Sequence, residues 1–217
     1  MSFISENIFV IVFSLTFFAF VHSFLASNRV KQIIYKKGKG FLPFYRLLYN
    51  IISAVILLVI YLNLPPSNVI IYDLPYPYDF VMLTLQTLSL AGLAYTLKYF
   101  SAKEFLGLSQ VKRWYNKNYD FENLDEESTF RTDGLYSFMR HPVYFFSILF
   151  LLFRPYMDLN YFVIFVCFVI YFYTGSIYEE KKLVEKFGDR YIQYQETVPR
   201  IVPIKTILRR KSQRISA

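Results

Sequence analysis

Hydrophobic residues occur along this chain in long blocks that are separated by short polar segments. Three of the blocks are residues 8–26, 47–64 and 80–99. Each is close to the roughly 20 apolar residues that a helix needs to cross the hydrocarbon core of a bilayer. The pattern therefore predicts three membrane-spanning helices in the N-terminal half of the chain.

A fourth apolar stretch covers residues 143–177 and is broken by Arg154, Pro155 and Asp158. It is too long for one span and a little short for two full ones. We interpret it as a helical hairpin whose turn lies at residues 154–160. This interpretation gives about five transmembrane helices in total.

The composition agrees with a membrane environment, because 55% of the residues are hydrophobic and 21% are aromatic. A soluble domain needs more polar surface than this composition supplies. We therefore predict an all-α integral membrane protein that crosses the bilayer several times. A cleaved signal peptide is the alternative for the first block, but that segment begins with Glu6 and has no preceding Lys or Arg.

The distribution of positive charge predicts the orientation of the helices. Six basic residues lie between the first two spans, whereas residues 65–79 contain no Lys or Arg. Basic loops stay on the cytoplasmic side, so we expect the N-terminus outside and the C-terminus in the cytoplasm. Topology and anionic lipids explain the formal charge of +8, and no nucleic-acid partner is predicted.

The C-terminal quarter continues beyond the membrane. The last helix continues as a polar segment from residue 177 to residue 187 and should end at Gly188. Residues 190–195 form a second, short amphipathic stretch. We predict a division into an N-terminal three-helix membrane region (1–100), a cytoplasmic loop (101–142), and a hairpin with a C-terminal cofactor-binding region (143–217) that form one folded unit.

Polar residues form a stripe on the second predicted span. Arg46, Tyr49 or Asn50, and Ser53 share one helical face, and His22 lies at a similar depth in the first span. These residues could line a cavity that opens to the cytoplasm. The alternative is that they hydrogen-bond one helix to another, as buried polar side chains in membrane bundles do.

Two further clusters place charged and aromatic residues where apolar segments meet the membrane interface. They are Gly134-Leu135-Tyr136 followed by residues 140–144 (Arg-His-Pro-Val-Tyr), and Glu179-Glu180. An antiparallel hairpin would bring both clusters to one depth. An interfacial belt without a ligand is the alternative, with Arg at the phosphates and Tyr at the headgroups.

Cysteine and histidine are too scarce for a structural metal site or a disulfide. The single Cys167 lies within an apolar helix, and His22 and His141 are far apart in sequence. We predict no metal.

The order of these motifs resembles the membrane methyltransferases related to isoprenylcysteine carboxyl methyltransferase. The resemblance covers roughly the last ninety residues and rests on Gly134-Leu135-Tyr136, Arg140 to Tyr144, Glu179 to Leu183, Phe187 to Tyr194, Val198-Pro199 and Pro203. The N-terminal half resembles the branch that includes methanethiol S-methyltransferase, through residues 21–27, 44–50 and 107–110.

This resemblance implies an S-adenosylmethionine site between the cytoplasmic end of the hairpin and the C-terminal helix. By motif position, the cofactor-binding residues are Thr129, Phe130, Arg131, Tyr136, His141, Pro142, Tyr144 and Glu179. The prenylcysteine enzymes carry an Arg, which meets the substrate carboxylate, four residues before the first of the two Glu. Here that position is Gly175, so we expect an acceptor without a carboxylate.

The leading hypothesis is therefore methyl transfer from S-adenosylmethionine to a small thiol or similar soft nucleophile at the cytoplasmic membrane face. We predict that Arg46, Tyr49 and Asn50 contact the acceptor and that His22 is the base that removes the thiol proton. The alternatives are methylation of a phospholipid amine or a prenylcysteine, and a membrane protein that binds a metabolite without catalysis. The expected partners are membrane lipids and a small or lipidic acceptor.

Overall fold

The computed structural model describes residues 2–99, 101–122, 130–204, 206 and 208, and it is mostly helical. The helices are α1 (Ser2–Leu25), α2 (Asn28–Gly38), α3 (Leu42–Leu62), α4 (Tyr78–Thr96), α5 (Ala102–Leu106), α6 (Leu108–Tyr115), α7 (Pro142–Leu152), α8 (Leu159–Phe187) and α9 (Asp189–Thr197). Short 3₁₀ turns cover Lys39–Phe41 and Gly134–Ser137, and two strands, β1 (Ile70–Asp73) and β2 (Tyr156–Asp158), complete the fold.

Three helical segments within the described ranges are long and apolar enough to cross a membrane: Ile4–Leu25, Asn28–Leu62 and Leu159–Phe187. This confirms a helical protein with membrane-spanning segments. The span predicted at residues 80–99 corresponds to helix α4, which is not among these three segments. It has 19 residues but carries polar Thr and Gln side chains along its length. Helix α7 has 11 apolar residues, or about 16 Å at 1.5 Å per residue, which is about half of a bilayer core.

The chain forms two compact units. One contains the described residues of Met1–Asn68 and Phe100–Ser128, and the other contains those of Val69–Tyr99 and Thr129–Ala217. The three-part division predicted from the sequence follows the position of each segment relative to the bilayer and stays a prediction.

In the first unit, polar side chains join helices α1 and α3. Nδ1 of His22 lies 2.8 Å from the hydroxyl of Ser53, and the hydroxyl of Tyr45 donates to the carbonyl of Leu25 at 2.7 Å. Helices α5 and α6 meet at Gly107, whose φ of +93° favours glycine. A Cβ at Gly107 would collide with the backbone of Leu47, so glycine also permits the close approach of this turn to α3.

In the second unit, α4 packs closely against α7. A Cβ on Gly92 would overlap the ring of Phe146, and the side-chain amide of Gln86 donates to the carbonyl of Phe150 at 3.0 Å. The absence of a side chain at residue 92 is therefore what lets the aromatic ring fit against the helix backbone.

Helices α7 and α8 form the predicted antiparallel hairpin. Tyr144, near the start of α7, stacks on Phe172 far along α8, whereas the hydroxyl of Tyr161 at the start of α8 donates to the carbonyl of Leu151 at the end of α7. The break between the helices lies where Pro155 and the charged residues predicted it.

A small antiparallel sheet at the hairpin turn was not predicted. Strand β1 pairs with β2, with Ile70 opposite Asp158 and Asp73 opposite Tyr156. The pairing satisfies backbone groups at the turn. It joins the segment that follows α3 to the hairpin turn, and both were predicted to lie on the outer side.

The end of α8 confirms the predicted terminator. The helix stops at Phe187, and Gly188 has a φ of +57°. Helix α9 then buries Tyr191 and Tyr194, which pack with Val198 against Phe187 and other residues of α8. The predicted amphipathic stretch is therefore a helix whose aromatic face covers the end of α8.

We expect Gly92→Ala to lower the stability of the protein by about 1–3 kcal/mol, because the new methyl group overpacks the contact with Phe146. Thermal unfolding in detergent measures the change. Gly40→Ala is the matched control, since a Cβ there meets no atom within 4 Å. Equal melting temperatures for the two variants would contradict this account of the α4–α7 contact.

Candidate functional site

A buried carboxylate organises the end of the α7–α8 hairpin that was predicted from the sequence to lie on the cytoplasmic side. The side chain of Glu180 is 3% exposed. Arg140 donates to both of its oxygens, from Nε at 2.8 Å and Nη2 at 3.0 Å. Nε2 of His141 lies 2.9 Å from Oε1, and the amide of Gln195 donates to Oε2 at 2.9 Å. Arg200 adds a second guanidinium at 3.0 Å from Oε2.

Arg140 also fixes the chain that follows α9. Its Nη1 donates to the carbonyls of Gln195 at 2.7 Å and Val198 at 2.8 Å. The backbone N–H of His141 donates to the carbonyl of Arg200 at 2.9 Å. The start of α7, the middle of α8 and the end of α9 are therefore joined around one ion-pair cluster.

The neighbouring Glu179 has a different environment, because its side chain is 51% exposed. The hydroxyl of Tyr144 donates to its Oε2 at 3.0 Å, and Nδ1 of His141 lies 3.6 Å from the same oxygen. The rings of His141 and Tyr144 are stacked, with centroids 5.2 Å apart and planes 3° apart. A half-exposed carboxylate thus lies beside a buried imidazole and the hydroxyl of a phenol.

Pro142 and Gly175 shape this part of the site. Pro142 is buried at the first turn of α7, where the missing N–H has no helical partner to lose. Gly175 lies one helical turn before Glu179, and a Cβ there would meet only the hydroxyl of Tyr144, at 3.9 Å. The surface beside Tyr144 and Glu179 is therefore open where a larger residue would extend.

Tyr136 lies near the same helices and contacts a second tyrosine. Its ring packs edge-on against Tyr99 at 5.6 Å, and its carbonyl accepts a hydrogen bond from Tyr194 at 2.6 Å. Burial raises the pKa of the Tyr136 phenol. A Cβ on Gly134, which has a φ of +54°, would collide with the hydroxyl of Tyr99. The predicted Gly-x-Tyr motif therefore forms a turn that seats Tyr136 against Tyr99.

The three predicted cofactor-binding residues before that turn, at positions 129–131, differ in what the structure shows for them. Phe130 packs against Tyr191 and Tyr194 with ring centroids 5.4 and 5.3 Å away. The guanidinium of Arg131 lies over the ring of Tyr99 at 5.9 Å. Thr129 lies outside the described residues. Phe130 belongs to the aromatic core under α9, whereas Arg131 shares a neighbour with Tyr136.

Glu180, Gln195 and Arg200 were not among the predicted site residues. The sequence motifs include Arg140 and both Glu residues, but the side chains of two adjacent residues in a helix point about 100° apart around its axis. Only the packing of the helix shows which of them is buried. Helical spacing carried one available signal, because Ser176, Glu180 and Val184 are four residues apart and therefore share one face of α8.

The predicted acceptor residues and base lie in the first unit. Arg46 Nε and Asn50 Nδ2 donate to the carbonyl of Phe105, at 2.6 and 3.0 Å. The ring of His22 lies 5.8 Å from that of Tyr49. The structure thus shows helix-to-helix and helix-to-turn hydrogen bonds, which were the alternative interpretation, and contact with an acceptor stays a prediction.

A neighbouring ion pair holds the turn between α5 and α6. The guanidinium of Arg113 donates to both oxygens of Glu104, at 2.9 and 2.6 Å, and this hydrogen bonding lowers the pKa of the Glu104 carboxyl.

Among the described residues, no group of three His, Cys, Asp or Glu side chains could hold a metal ion.

Comparison with known proteins identifies relatives along most of the chain. It is 28% identical to methanethiol S-methyltransferase 1 of Bradyrhizobium diazoefficiens over 209 residues, which cover 92% of this chain and 68% of the relative. It is 29% identical to methanethiol S-methyltransferase of Pseudomonas deceptionensis over 88% of this chain and 71% of the relative. The protein of that name from Crocosphaera subtropica is 25% identical over 86% of this chain and 71% of the relative.

The predicted family resemblance is confirmed. The chain is similar to the methanethiol S-methyltransferase branch both in the N-terminal half and in the region that contains the Glu180 cluster. No protein-family model matches the chain. No solved structure matches it either.

We expect Glu180→Gln to destabilise the protein by about 3–5 kcal/mol, because it leaves Arg140 buried beside a neutral side chain. Thermal unfolding in detergent measures this loss. Glu179→Gln is the matched control on the adjacent position, and its exposed side chain should make the change nearly neutral for stability. The assignment of separate roles to the two carboxylates fails if both variants unfold at the same temperature.

Proposed function

We propose that this protein transfers a methyl group from S-adenosylmethionine to a small thiol at the cytoplasmic face of the membrane. The observation that carries the proposal is the similarity to three proteins named methanethiol S-methyltransferase over 86–92% of this chain. The motifs that first indicated a methyltransferase include Glu179, His141 and Tyr144, which lie together in the structure.

The residues around Glu179 fit the proposed cofactor. S-adenosylmethionine supplies a methyl group on a positively charged sulfonium, together with an ammonium, a carboxylate and an adenosine. Glu179 offers a half-exposed carboxylate to a cationic group. The open surface at Gly175 leaves room beside it, and the ring of Tyr136, which packs edge-on against Tyr99, offers an aromatic surface against which a purine can pack.

The role of the protein in this reaction is mainly to position the reactants. Methyl transfer is an in-line displacement that requires the acceptor sulfur and the methyl carbon at about 3–3.5 Å, and it needs no covalent protein intermediate. Opposite charges of a thiolate and a sulfonium cancel as the bond forms, so apolar surroundings that exclude water favour the step. The apolar helices of this chain provide such surroundings.

The proposal includes a membrane topology of about five helical segments, with the N-terminus outside and the C-terminus in the cytoplasm. Helix α7, with 11 residues, crosses only part of the bilayer core. This topology is supported by the pairing of β1 with β2. The charge pattern assigns residues 65–79 to the outer side, and alternate crossing of the bilayer by the following helices places the hairpin turn on that side too. The Glu180 cluster lies at the opposite end of the α7–α8 hairpin, which is the predicted cytoplasmic end.

A small thiol is the acceptor that the observations favour. The relatives are named for methanethiol, and the position at which the prenylcysteine enzymes carry an Arg is Gly175. We further propose that His22 removes the thiol proton. The hydroxyl of Ser53 donates to the carbonyl of Tyr49 at 2.7 Å, so Nδ1 of His22 donates to Ser53, which holds the ring in one orientation.

The first experiment measures binding of S-adenosylhomocysteine by calorimetry and then methyl transfer to methanethiol, a phospholipid amine and a prenylcysteine in the same detergent preparation. We expect binding and turnover with methanethiol. Turnover with another acceptor alone would replace the thiol in the proposal. Binding without any turnover would favour a metabolite-binding protein, and absence of binding would refute the cofactor assignment.

We expect Glu179→Gln to weaken S-adenosylhomocysteine binding roughly ten- to a hundred-fold, because a charged hydrogen bond to the ligand becomes a neutral one. Isothermal titration calorimetry gives the dissociation constant. Glu185→Gln removes the same charge from an exposed position on the same helix and should bind like the unmodified protein. Equal affinity for all three proteins would exclude Glu179 from the cofactor site.

We expect His22→Gln to lower kcat/KM for methanethiol by about a hundredfold at neutral pH, since a general base contributes at least this much. The deficit should shrink as the pH rises, because the thiol then ionises without assistance. The measurement is a pH–rate profile of both proteins. A deficit that stays constant with pH would assign His22 a packing role.

A further inference from the structure

His141 lies between two carboxylates that address different nitrogens of its ring. Nε2 is 2.9 Å from Oε1 of the buried Glu180. Nδ1 is 3.6 Å from Oε2 of the half-exposed Glu179. Stacking on Tyr144, with ring planes 3° apart, holds the imidazole in this orientation. The two ring nitrogens of His141 therefore lie in two different environments, one buried beside Glu180 and one beside the half-exposed Glu179.

The surroundings of Glu180 determine where the proton of a neutral His141 lies. Arg140, Arg200 and Gln195 donate hydrogen bonds to its two oxygens. A carboxylate that receives these charged donors is ionised and can only accept from His141. Nε2 of His141 therefore carries the proton, and Nδ1 of the neutral ring is an acceptor.

Nδ1 then faces another acceptor. The 3.6 Å that separates Nδ1 from Glu179 is too long for a direct hydrogen bond. The hydroxyl of Tyr144 has one proton, and it is donated to Glu179. Two acceptors at this spacing are complementary to a group with several protons and a positive charge, which describes a primary ammonium.

We propose that Glu180 is a positioning residue, which holds His141 in the Nε2–H tautomer so that Nδ1 and Glu179 together accept hydrogen bonds from a primary ammonium group of the ligand. This inference rests on the proposed function, in which the ligand is S-adenosylmethionine and the ammonium is its α-amino group. It assigns Glu179 and His141 to the amino-acid part of the cofactor and accounts for the burial of Glu180, which itself does not touch the ligand.

A doubly protonated His141 is the competing state, since an imidazolium would donate to both carboxylates. The groups that face the ring are Glu179, Glu180 and the hydroxyl of Tyr144, with Arg140 and Arg200 on the far side of Glu180. In the doubly protonated state Nδ1 would be a donor to Glu179 and could not accept a hydrogen bond from an ammonium group, so its observation in the ligand complex would contradict the proposal.

The test uses ¹⁵N-histidine NMR of the detergent-solubilised protein, which has only two histidines. His22→Gln assigns the two rings. We expect Nδ1 of His141 to be unprotonated and Nε2 protonated, and S-adenosylhomocysteine to shift the Nδ1 resonance upfield as this nitrogen accepts a hydrogen bond. Methylthioadenosine, which lacks the amino acid, should leave that resonance unchanged.

Paired variants test the same point by affinity. His141→Gln places an amide donor near Glu180 but has no acceptor at the Nδ1 position, so we expect S-adenosylhomocysteine to bind roughly ten- to a hundred-fold more weakly and methylthioadenosine to bind as before. His141→Asn places its carbonyl oxygen near the Nδ1 position and should retain more of the affinity for S-adenosylhomocysteine than His141→Gln does.

The outcomes separate this inference from the proposed function. A protonated Nδ1 in the ligand complex, or equal Nδ1 shifts with both ligands, would overturn the inference while S-adenosylhomocysteine binding still supported the function. Absence of S-adenosylhomocysteine binding to the unmodified protein would overturn both. An Nδ1 shift specific to S-adenosylhomocysteine, with the affinity loss in His141→Gln, would support the inference.

Discussion

A carboxylate buried at the end of a membrane hairpin needs compensating charge, and the second unit of this protein is built around meeting that need at Glu180. Removing an ionised group from water costs several kcal/mol unless it is paired and hydrogen-bonded. Here Arg140 donates to both oxygens, Arg200 and Gln195 donate to Oε2, and Nε2 of His141 lies 2.9 Å from Oε1. These donors come from the start of α7 and the end of α9, so pairing the charge also fixes the positions of these segments relative to α8.

The same cluster gives different environments to two carboxylates that are adjacent in the sequence. Glu180 has its hydrogen-bonding capacity filled by the protein, whereas Glu179 is half-exposed and accepts from Tyr144. A buried carboxylate whose oxygens are hydrogen-bonded within the protein orients the side chains that pair with it, and an exposed carboxylate is accessible to a ligand. His141 connects the two, because one of its nitrogens contacts Glu180 and the other faces Glu179.

Small residues allow the helices of both units to approach closely. Gly92 accepts the ring of Phe146 between α4 and α7, and Gly107 brings the α5–α6 turn against α3. In a bilayer, packing contacts and hydrogen bonds between helices contribute much of the association energy, because the hydrophobic effect does not distinguish lipid from protein. The hydrogen bonds of Gln86, His22 and Asn50 to neighbouring helices or turns fit this pattern.

The sequence by itself determined the helical membrane class, the break in the last apolar stretch, the helix start at Pro142 and the end before Gly188. These features depend on local properties, namely the length of apolar runs and the backbone preferences of proline and glycine. It also indicated the family through Gly134 to Tyr144 and Glu179 to Tyr194. The tertiary structure decided that Glu180 is the buried carboxylate and Glu179 the exposed one, and that Phe130 belongs to an aromatic core. It also decided that residues 70–73 pair with the hairpin turn. Each of these outcomes depends on which face of an element packs against a partner distant in sequence, and local pattern does not contain that information.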